Sequence, residues 1–164
     1  MVDDGVFQTL MDVSFRFVSF RPRSKKEFVD ALKAACKKRH IEDISVIDRV
    51  LARLIELGYV DDEKFAAWWV TQRNQFRPKG WRALSFELKQ KGIILKKFDD
   101  TTEETNVIAL ATKVFGKFTA LSSKEQKMKL YAYLARRGFD SDVISRVVDA
   151  MMNKGYNTDT TEST

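Results

Sequence analysis

The side chains best suited to catalysis or metal binding are scarce in this 164-residue chain. It contains one histidine, His40, and one cysteine, Cys36. A zinc site or a nucleophile–base pair needs several such residues close together. His40 follows a run of cations at a predicted helix end, and Cys36 falls on an apolar helical stripe, which predicts a core position. The sequence therefore predicts no catalytic residue, no metal site and no cofactor.

A run of three acids, Asp61-Asp62-Glu63, has two interpretations. Clustered carboxylates could bind Mg²⁺. They also follow Gly58, which can take the left-handed conformation that ends a helix. An aspartate there can accept backbone N–H bonds of the next helix, whose first turn favours negative charge. Helix capping is the favoured interpretation, because all three acids sit on one first turn.

Positive charge is the chain's clearest binding signal. It carries 29 Lys and Arg against 23 Asp and Glu, a net charge of +6. Clustered cations indicate a polyanion or acidic protein partner, and equally a solvated helix face. The clusters are the first basic patch (Lys25, Lys26, Lys33, Lys37, Lys38 and Arg39), the second basic patch (Arg73, Arg77, Lys79, Arg82, Lys89 and Lys91) and the third basic patch (Lys127, Lys129, Arg136 and Arg137).

Aromatic residues are interleaved with the second basic patch. Trp68 and Phe86 lie off the main apolar stripes of their predicted helices. Packing between modules is the favoured role for both, because a repeat protein must bury its joints. If they are exposed instead, they could stack on unpaired bases beside cations that bind phosphate.

The elements that carry these residues are predicted to be helices. Residues 6–20 read as a helix buried on most of its faces, with a strand as the alternative near residues 15–20. Ser24 and Glu27 form a capping box for a second helix. A third helix spans residues 44–57, with an apolar stripe that includes Ile55, and stops at Gly58. Three helices in about 50 residues predict a small three-helix bundle.

The pattern then repeats. Residues 61 to about 75 and 81–92 give two helices, the first with Phe65, Ala66, Trp69 and Val70 on its core face. Residues 95–100 are too short for a full third helix. Capping boxes at residues 101–104 and 123–126 open two further helices. Asp140 or Ser141 caps a last helix, which Gly155 ends.

The predicted fold is all-α, with tandem three-helix-bundle repeats forming an elongated, curved molecule. The repeats are residues 1–60, 61–100 (third helix short or missing) and 101–156, followed by a disordered tail at 157–164. Each repeat is too small to bury much apolar surface alone, so neighbours must pack end to end. No apolar run of about 18 residues predicts a membrane span. A single cysteine fits a reducing cytoplasm.

Four short motifs occur in order along the chain. They are Arg21-Pro22-Arg23-Ser24 with Glu27; Gly58-Tyr59-Val60-Asp61-Asp62 followed by Phe65-Ala66, Trp69-Val70 and Arg73; Gly80 followed by Glu87-Leu88 and Lys91-Gly92-Ile93; and Leu134-Ala135-Arg136-Arg137-Gly138-Phe139 followed by Val143-Ile144. Together they resemble the RecX family, bacterial regulators of the RecA recombinase, over roughly residues 15–152. The resemblance gives the glycines, Asp61, Asp62, Phe65, Ala66, Trp69, Glu87 and Leu88 of these motifs structural roles.

The resemblance implies a non-enzymatic regulator with two partners, RecA and the single-stranded DNA of its filament. Members bind in the filament groove and suppress ATPase, strand-exchange and coprotease activities. A cytoplasmic monomer is expected. The sequence departs from the family at residues 94–100, where a complete third helix usually fits. Two alternatives stay open: a general helical nucleic-acid-binding module, and a helical-repeat protein adaptor.

Overall fold

A computed structural model describes residues 4–97 and 100–156. Over those residues the chain forms helices and no strands, which confirms the all-α prediction. The eight helices within them are α1 (Asp4–Val18), α2 (Lys25–Lys38), α3 (Val46–Glu56), α4 (Asp62–Phe76), α5 (Trp81–Gln90), α6 (Asp100–Phe115), α7 (Ser123–Arg136) and α8 (Ser141–Tyr156). The predicted tail at 157–164 lies outside the described residues.

The described chain divides into two compact units. The first unit contains the residues up to Thr71 together with Leu88–Ile94, and the second contains Gln72–Glu87 together with the residues from Leu95 onward. In the first unit α1, α2 and α3 pack on one another, and in the second α6, α7 and α8 do so. Each unit has its own core cluster of buried aliphatic and aromatic side chains.

Helix α1 is a helix throughout, which rules out the strand alternative near residues 15–20. Leu10, Met11 and Ser14 are its buried residues. Phe15 is 37% exposed, and Phe20, just beyond the helix, is 87% exposed. The prediction of burial on most faces was therefore wrong. Helices α2 and α3 pack against one side of this helix, and several side chains on its other side are exposed to solvent.

Local capping signals place α2 as predicted. The Glu27 N–H donates to Ser24 Oγ over 3.2 Å, and the Ser24 N–H donates to Glu27 Oε2 over 3.2 Å. This reciprocal pair satisfies two donors that the helix start would leave unpaired. Cys36, on the buried side of α2, is 2% exposed, and burial raises the pKa of its thiol. Its predicted core position is confirmed.

Helix α3 starts later than predicted but buries the predicted face, since Ile47, Val50, Leu51 and Leu54 are all buried. It begins at Val46, which is fully buried, while Ile44 before it is 60% exposed. The Asp43 carboxylate accepts the Ser45 N–H over 2.9 Å and holds residues 43–45 in a turn. Ile55, also predicted on the apolar stripe, is 48% exposed and is the one member of that stripe that lies at the surface.

Three glycines end helices in the left-handed conformation, as predicted. The φ angles are 75° at Gly58, 79° at Gly92 and 80° at Gly138. At the first, the Gly58 N–H donates to Ile55 O over 2.9 Å and the Tyr59 N–H donates to Leu54 O over 2.9 Å. This pair of bonds is the Schellman motif, which satisfies carbonyls at a helix end.

Helices α4 and α5 appear where the sequence places them. Residues 93–97, between α5 and α6, have no helical structure, in agreement with the short segment predicted there. Ile93 is nearly buried, but Ile94 is 93% exposed. The apolar return after Gly92 therefore consists of one residue.

The observed starts of α6 and α7 differ from the two capping boxes predicted there. Helix α6 begins at Asp100, so the box expected at Thr101–Glu104 does not form and Glu103 lies inside the helix. The second box uses Ser122 with Glu125, one residue before the predicted Ser123.

The last helix also differs from its prediction at its end. Asp140 caps α8, since its Oδ1 accepts the Asp142 N–H over 3.1 Å. The helix continues to Tyr156, so Gly155 does not end it.

Candidate nucleic-acid and protein interface

The acids Asp61–Glu63 form a helix start. Asp61 Oδ1 accepts the Lys64 N–H over 2.9 Å, and this bond lowers the pKa of Asp61. Asp62 Oδ1 reaches a different helix and accepts the Lys25 N–H of α2 over 2.7 Å. Among the described residues no group of three His, Cys, Asp or Glu side chains could hold a metal ion. The capping interpretation is confirmed, and Asp62 adds a bond to α2 that the sequence did not indicate.

The first basic patch lies on α2, on the side away from its core. Lys26, Lys33 and Lys37 are spaced seven and four residues apart, which puts them on one helix face. All three are exposed, and Lys26 pairs with Asp30 over 2.8 Å. Lys33 and Lys37 are in no ion pair seen among the described residues, so they present charge to solvent.

The rest of this patch sits at the two ends of α2. Lys25, Lys38 and Arg39 are exposed as well. Arg39 is the C-cap residue, and its guanidinium donates to Ala35 O over 3.5 Å. His40 follows with a positive φ of 55° and is exposed. These side chains form a solvated, positively charged surface.

Lys91, from the second basic patch, is a structural residue of the first unit. Its Nζ lies 2.8 Å from Glu27 Oε1 and 5.7 Å from the centre of the Trp69 ring. Glu27 also pairs with Arg21 over 2.7 Å. Burial raises the pKa of Glu27, but the hydrogen bonds from Arg21, Lys91 and Ser24 outweigh it and hold that pKa at about 2. Lys89, two residues earlier, is exposed.

The second unit holds the other four members of the second basic patch. Arg73 Nε lies 3.0 Å from Glu87 Oε2, and Lys79 pairs with the other oxygen of Glu87. Arg82 lies 3.6 Å from Asp140. Arg77 is exposed at the end of α4, and the ion pairs of the described residues do not include it. Three of these four cations are thus partly neutralised by carboxylates.

The aromatic residues near this patch divide between packing and exposure. Phe65 is the fully buried residue of α4. Trp68 and Trp69 are half-buried, with ring centres 5.7 Å from that of Phe65. Trp68 therefore packs against residues of its own helix, and its packing between modules stays a prediction, while Trp69, predicted on the core face, is only partly buried. Phe86 is 65% exposed, so the packing role predicted for it is also wrong.

Phe76 is a candidate that the sequence reasoning missed. It is the last residue of α4 and is 71% exposed. Its spacing from Phe65 and Trp69 puts it on the core face of α4, so its place at the helix end, directly before Arg77, is the signal that could have indicated exposure.

The third basic patch lies on α7 and at its C-terminal end. Lys127 pairs with Asp149 over 2.6 Å, while Lys129 and Arg136 are exposed. The Arg137 guanidinium lies 5.2 Å from the Tyr133 ring centre and donates to its hydroxyl over 3.0 Å. Two of these four cations are therefore held by neighbours.

A buried carboxylate in the second unit organises α5 and α8. Glu103 is 1% exposed, and its Oε1 accepts the Trp81 N–H and the Asp140 N–H, each over 3.2 Å. The Gly80 N–H donates to Arg137 O over 2.9 Å. The Arg82 N–H donates to Gly138 O over 3.1 Å. Together these hydrogen bonds hold the start of α5 against the joint between α7 and α8.

Comparison with known proteins places this architecture in a family. The model of the second three-helix domain of RecX matches residues 61–93, and that of the third matches residues 102–148. The Regulatory protein RecX of Chlorobium phaeobacteroides is 34% identical over 142 residues, covering 84% of this chain and 90% of that protein. The chain belongs to the RecX family. None of its described helices is long and apolar enough to cross a membrane.

Other RecX relatives differ in length. The Regulatory protein RecX of Bacillus licheniformis is 38% identical over 136 residues, which is 79% of this chain but 50% of that protein. The chain thus spans about half the length of this relative. The crystal structure of RecX from Lactobacillus salivarius superposes with a TM-score of 0.77 at 21% identity, over 90% of this chain and 97% of that one. At that identity the likeness shows the fold. The curated relatives are named regulatory proteins.

Proposed function

We propose that this protein is a non-enzymatic regulator that binds RecA on single-stranded DNA and inhibits RecA's ATPase, strand-exchange and coprotease activities. In this role it would modulate recombination and DNA repair in the cytoplasm, acting as a monomer. The observation that carries the proposal is family membership through a relative matched along nearly its whole length. We further propose that its helical repeats span residues 1–60, 61–100 and 101–156, with the third helix of the second repeat short or missing.

The charge of the surface supports a polyanionic or acidic partner. The first basic patch is exposed along α2, with Lys33 and Lys37 on one face. Cations of this kind bind phosphates and release the counterions that surround them. The members of the second and third patches that carboxylates hold, such as Lys91, would contribute less. Lys33, Lys37 and Arg77 are therefore the cations on which we expect the activity to depend most.

The decisive measurement is RecA's single-stranded-DNA-dependent ATPase rate with this protein added below the RecA concentration. Loss of rate under those conditions is expected, because an inhibitor of filaments acts on many subunits at once. An unchanged rate with folded protein would contradict the proposal. Binding to naked DNA alone would then favour a general nucleic-acid-binding module, and no effect of DNA would favour a protein adaptor.

Charge-reversal variants test which surface is needed for inhibition of RecA. The double variant K33E/K37E is expected to weaken inhibition, since it turns two exposed cations on one face of α2 into acids. The matched control is K113E/K117E, which reverses two exposed lysines outside all three patches. Equal loss in both variants would mean that overall charge matters rather than this face of α2.

A further inference from the structure

Two phenylalanines of the second unit are exposed without an evident packing role. Phe76 is 71% exposed and Phe86 is 65% exposed. Leu84, two residues before Phe86 and on the opposite face of α5, is fully buried, so the core of the unit does not need the Phe86 ring. An exposed aromatic ring that the core does not need becomes a candidate binding residue where cations lie beside it.

An ion pair connects the helices that carry these two rings. Arg73 of α4 bonds to Glu87 of α5 over 3.0 Å. Phe76 lies three residues after Arg73, on the same side of α4. Phe86 directly precedes Glu87 on α5. Along their own helices, both rings therefore lie within one turn of the Arg73–Glu87 pair that forms the junction between α4 and α5.

The charge around the junction is positive. Arg77 follows Phe76, is exposed and is absent from the ion pairs of the described residues. Arg82, four residues before Phe86, keeps 59% of its side chain exposed, and its contact with Asp140 is a loose 3.6 Å. Each ring thus has an exposed arginine within one helical turn or less.

Aromatic rings beside arginines suit one occupant better than others. Unpaired bases stack on aromatic side chains while nearby cations contact the phosphates. Bases in a duplex are already stacked on one another and offer no free face. An acidic peptide would use the arginines but has no requirement for flat aromatic surfaces.

We infer that Phe76 and Phe86, with Arg77 and Arg82, form a binding surface for the unpaired bases of single-stranded DNA. The rings stack on bases, and the arginines contact the intervening phosphates. The inference rests on the proposed function, since it assigns the single-stranded DNA of that proposal to one surface. It makes this surface the feature that distinguishes single strands from duplex.

The test uses the full chain and a dye-labelled oligothymidylate, with binding followed by fluorescence anisotropy. Replacing both rings in F76A/F86A is expected to weaken binding by roughly ten-fold per ring. Affinity for a duplex of equal length should not change. The variant F76Y/F86Y should bind as the wild type does, and F76L/F86L should lose affinity, because leucine keeps the apolar surface but not the ring.

The arginines give an independent readout. Replacing Arg77 by Gln removes one phosphate contact, so the slope of log affinity against log salt should fall by about 0.7, the value for a single strand. F76A/F86A should leave that slope unchanged. The matched control is F20A, which removes an aromatic side chain that is 87% exposed in the first unit. It should bind the oligonucleotide normally.

Three outcomes would overturn the inference: unchanged single-strand affinity in F76A/F86A, an equal loss for duplex, or full affinity in F76L/F86L. The last would indicate an apolar contact with a protein. The RecA ATPase assay keeps this result separate from the proposed function. A wild type that inhibits RecA while F76A/F86A binds DNA normally would reject the surface alone. A wild type that binds DNA through the rings but leaves RecA active would reject the function alone.

Discussion

The same short motif ends a helix and starts another in both compact units, in different surroundings. In the first unit it runs Leu57-Gly58-Tyr59-Val60-Asp61-Asp62, and in the second Arg137-Gly138-Phe139-Asp140-Ser141-Asp142. Both glycines have nearly the same φ angle. A Cβ added at Gly58 would meet nothing within 4 Å, whereas one at Gly138 would lie 2.6 Å from Ala83 N. The residue after the glycine is half exposed at Tyr59 and buried at Phe139.

The different surroundings of Gly58 and Gly138 show two separate reasons why a position can require glycine. At Gly58 the backbone conformation alone requires it. At Gly138 the start of α5 lies directly against the joint, so both conformation and space require it. A local motif therefore specifies a turn, while the packing around that turn decides how much stability depends on it.

The largest expected effect comes from G138A. It combines the left-handed conformation, which costs an L-residue about 1–2 kcal/mol, with a clash that α5 must relieve, for about 3 kcal/mol or more in total. G58A should cost only the conformational part. Urea denaturation followed by circular dichroism measures both. Equal losses would mean that the contact with Ala83 relaxes freely.

Next in size is E103A. It leaves the Trp81 and Asp140 N–H groups without their acceptor, at an expected cost of about 2–4 kcal/mol. E103Q keeps an oxygen that can accept both bonds, so it should lose less than half as much. The same denaturation experiment compares them. If E103Q were as unstable as E103A, the negative charge rather than the acceptor would be what the site needs.

Glu27 provides the contrasting carboxylate of the first unit, since it acts through cations. Its pKa is about 2 in the folded protein against an ordinary 4.5. A lowered pKa stabilises the folded state above pH 4.5, and that contribution is lost as the pH falls from 4.5 toward 2. The urea midpoint of the wild type should approach that of E27Q over this range. A difference that stays constant with pH would contradict the assigned cause.

The smallest effect is expected from D62A. It removes the acceptor of the exposed Lys25 N–H at the start of α2 and should cost about 1 kcal/mol. D62N retains an acceptor oxygen and serves as the control. Thermal unfolding of both variants measures the difference. No change in D62A would mean that water replaces this bond without cost.

The sequence correctly predicted the features that depend only on residues close together in the chain, namely helix caps and glycine turns. The box at Ser24 and Glu27 spans four residues, and the glycine turns involve five or six, so both could be predicted directly from the sequence. The box at Thr101 failed because α6 already begins at Asp100, and Glu103 inside that helix bonds to N–H groups 22 and 37 residues away. No periodicity reports such partners.

The candidate surface shows the same limit. The sequence counts Lys91 as an available cation, but Glu27, 64 residues earlier, holds it. Phe86 was expected to pack, because a repeat protein must bury its joints. Its exposure depends on which neighbour covers α5, and the sequence does not give that neighbour. Family motifs identified the chain through turns and core residues, and these carry little information about which cations stay exposed.

The position of Cys36 has a practical consequence. It is the chain's single thiol, lies in the core of the first unit and has its pKa raised by burial. A thiol reagent needs the exposed thiolate, so it can react only when the surrounding helices open. The labelling rate thus reports the opening of the first unit alone, without any added dye site. This rate measures local unfolding of the first unit. In variants of Gly138 or Glu103, which lie in the second unit, Cys36 should be labelled at the wild-type rate.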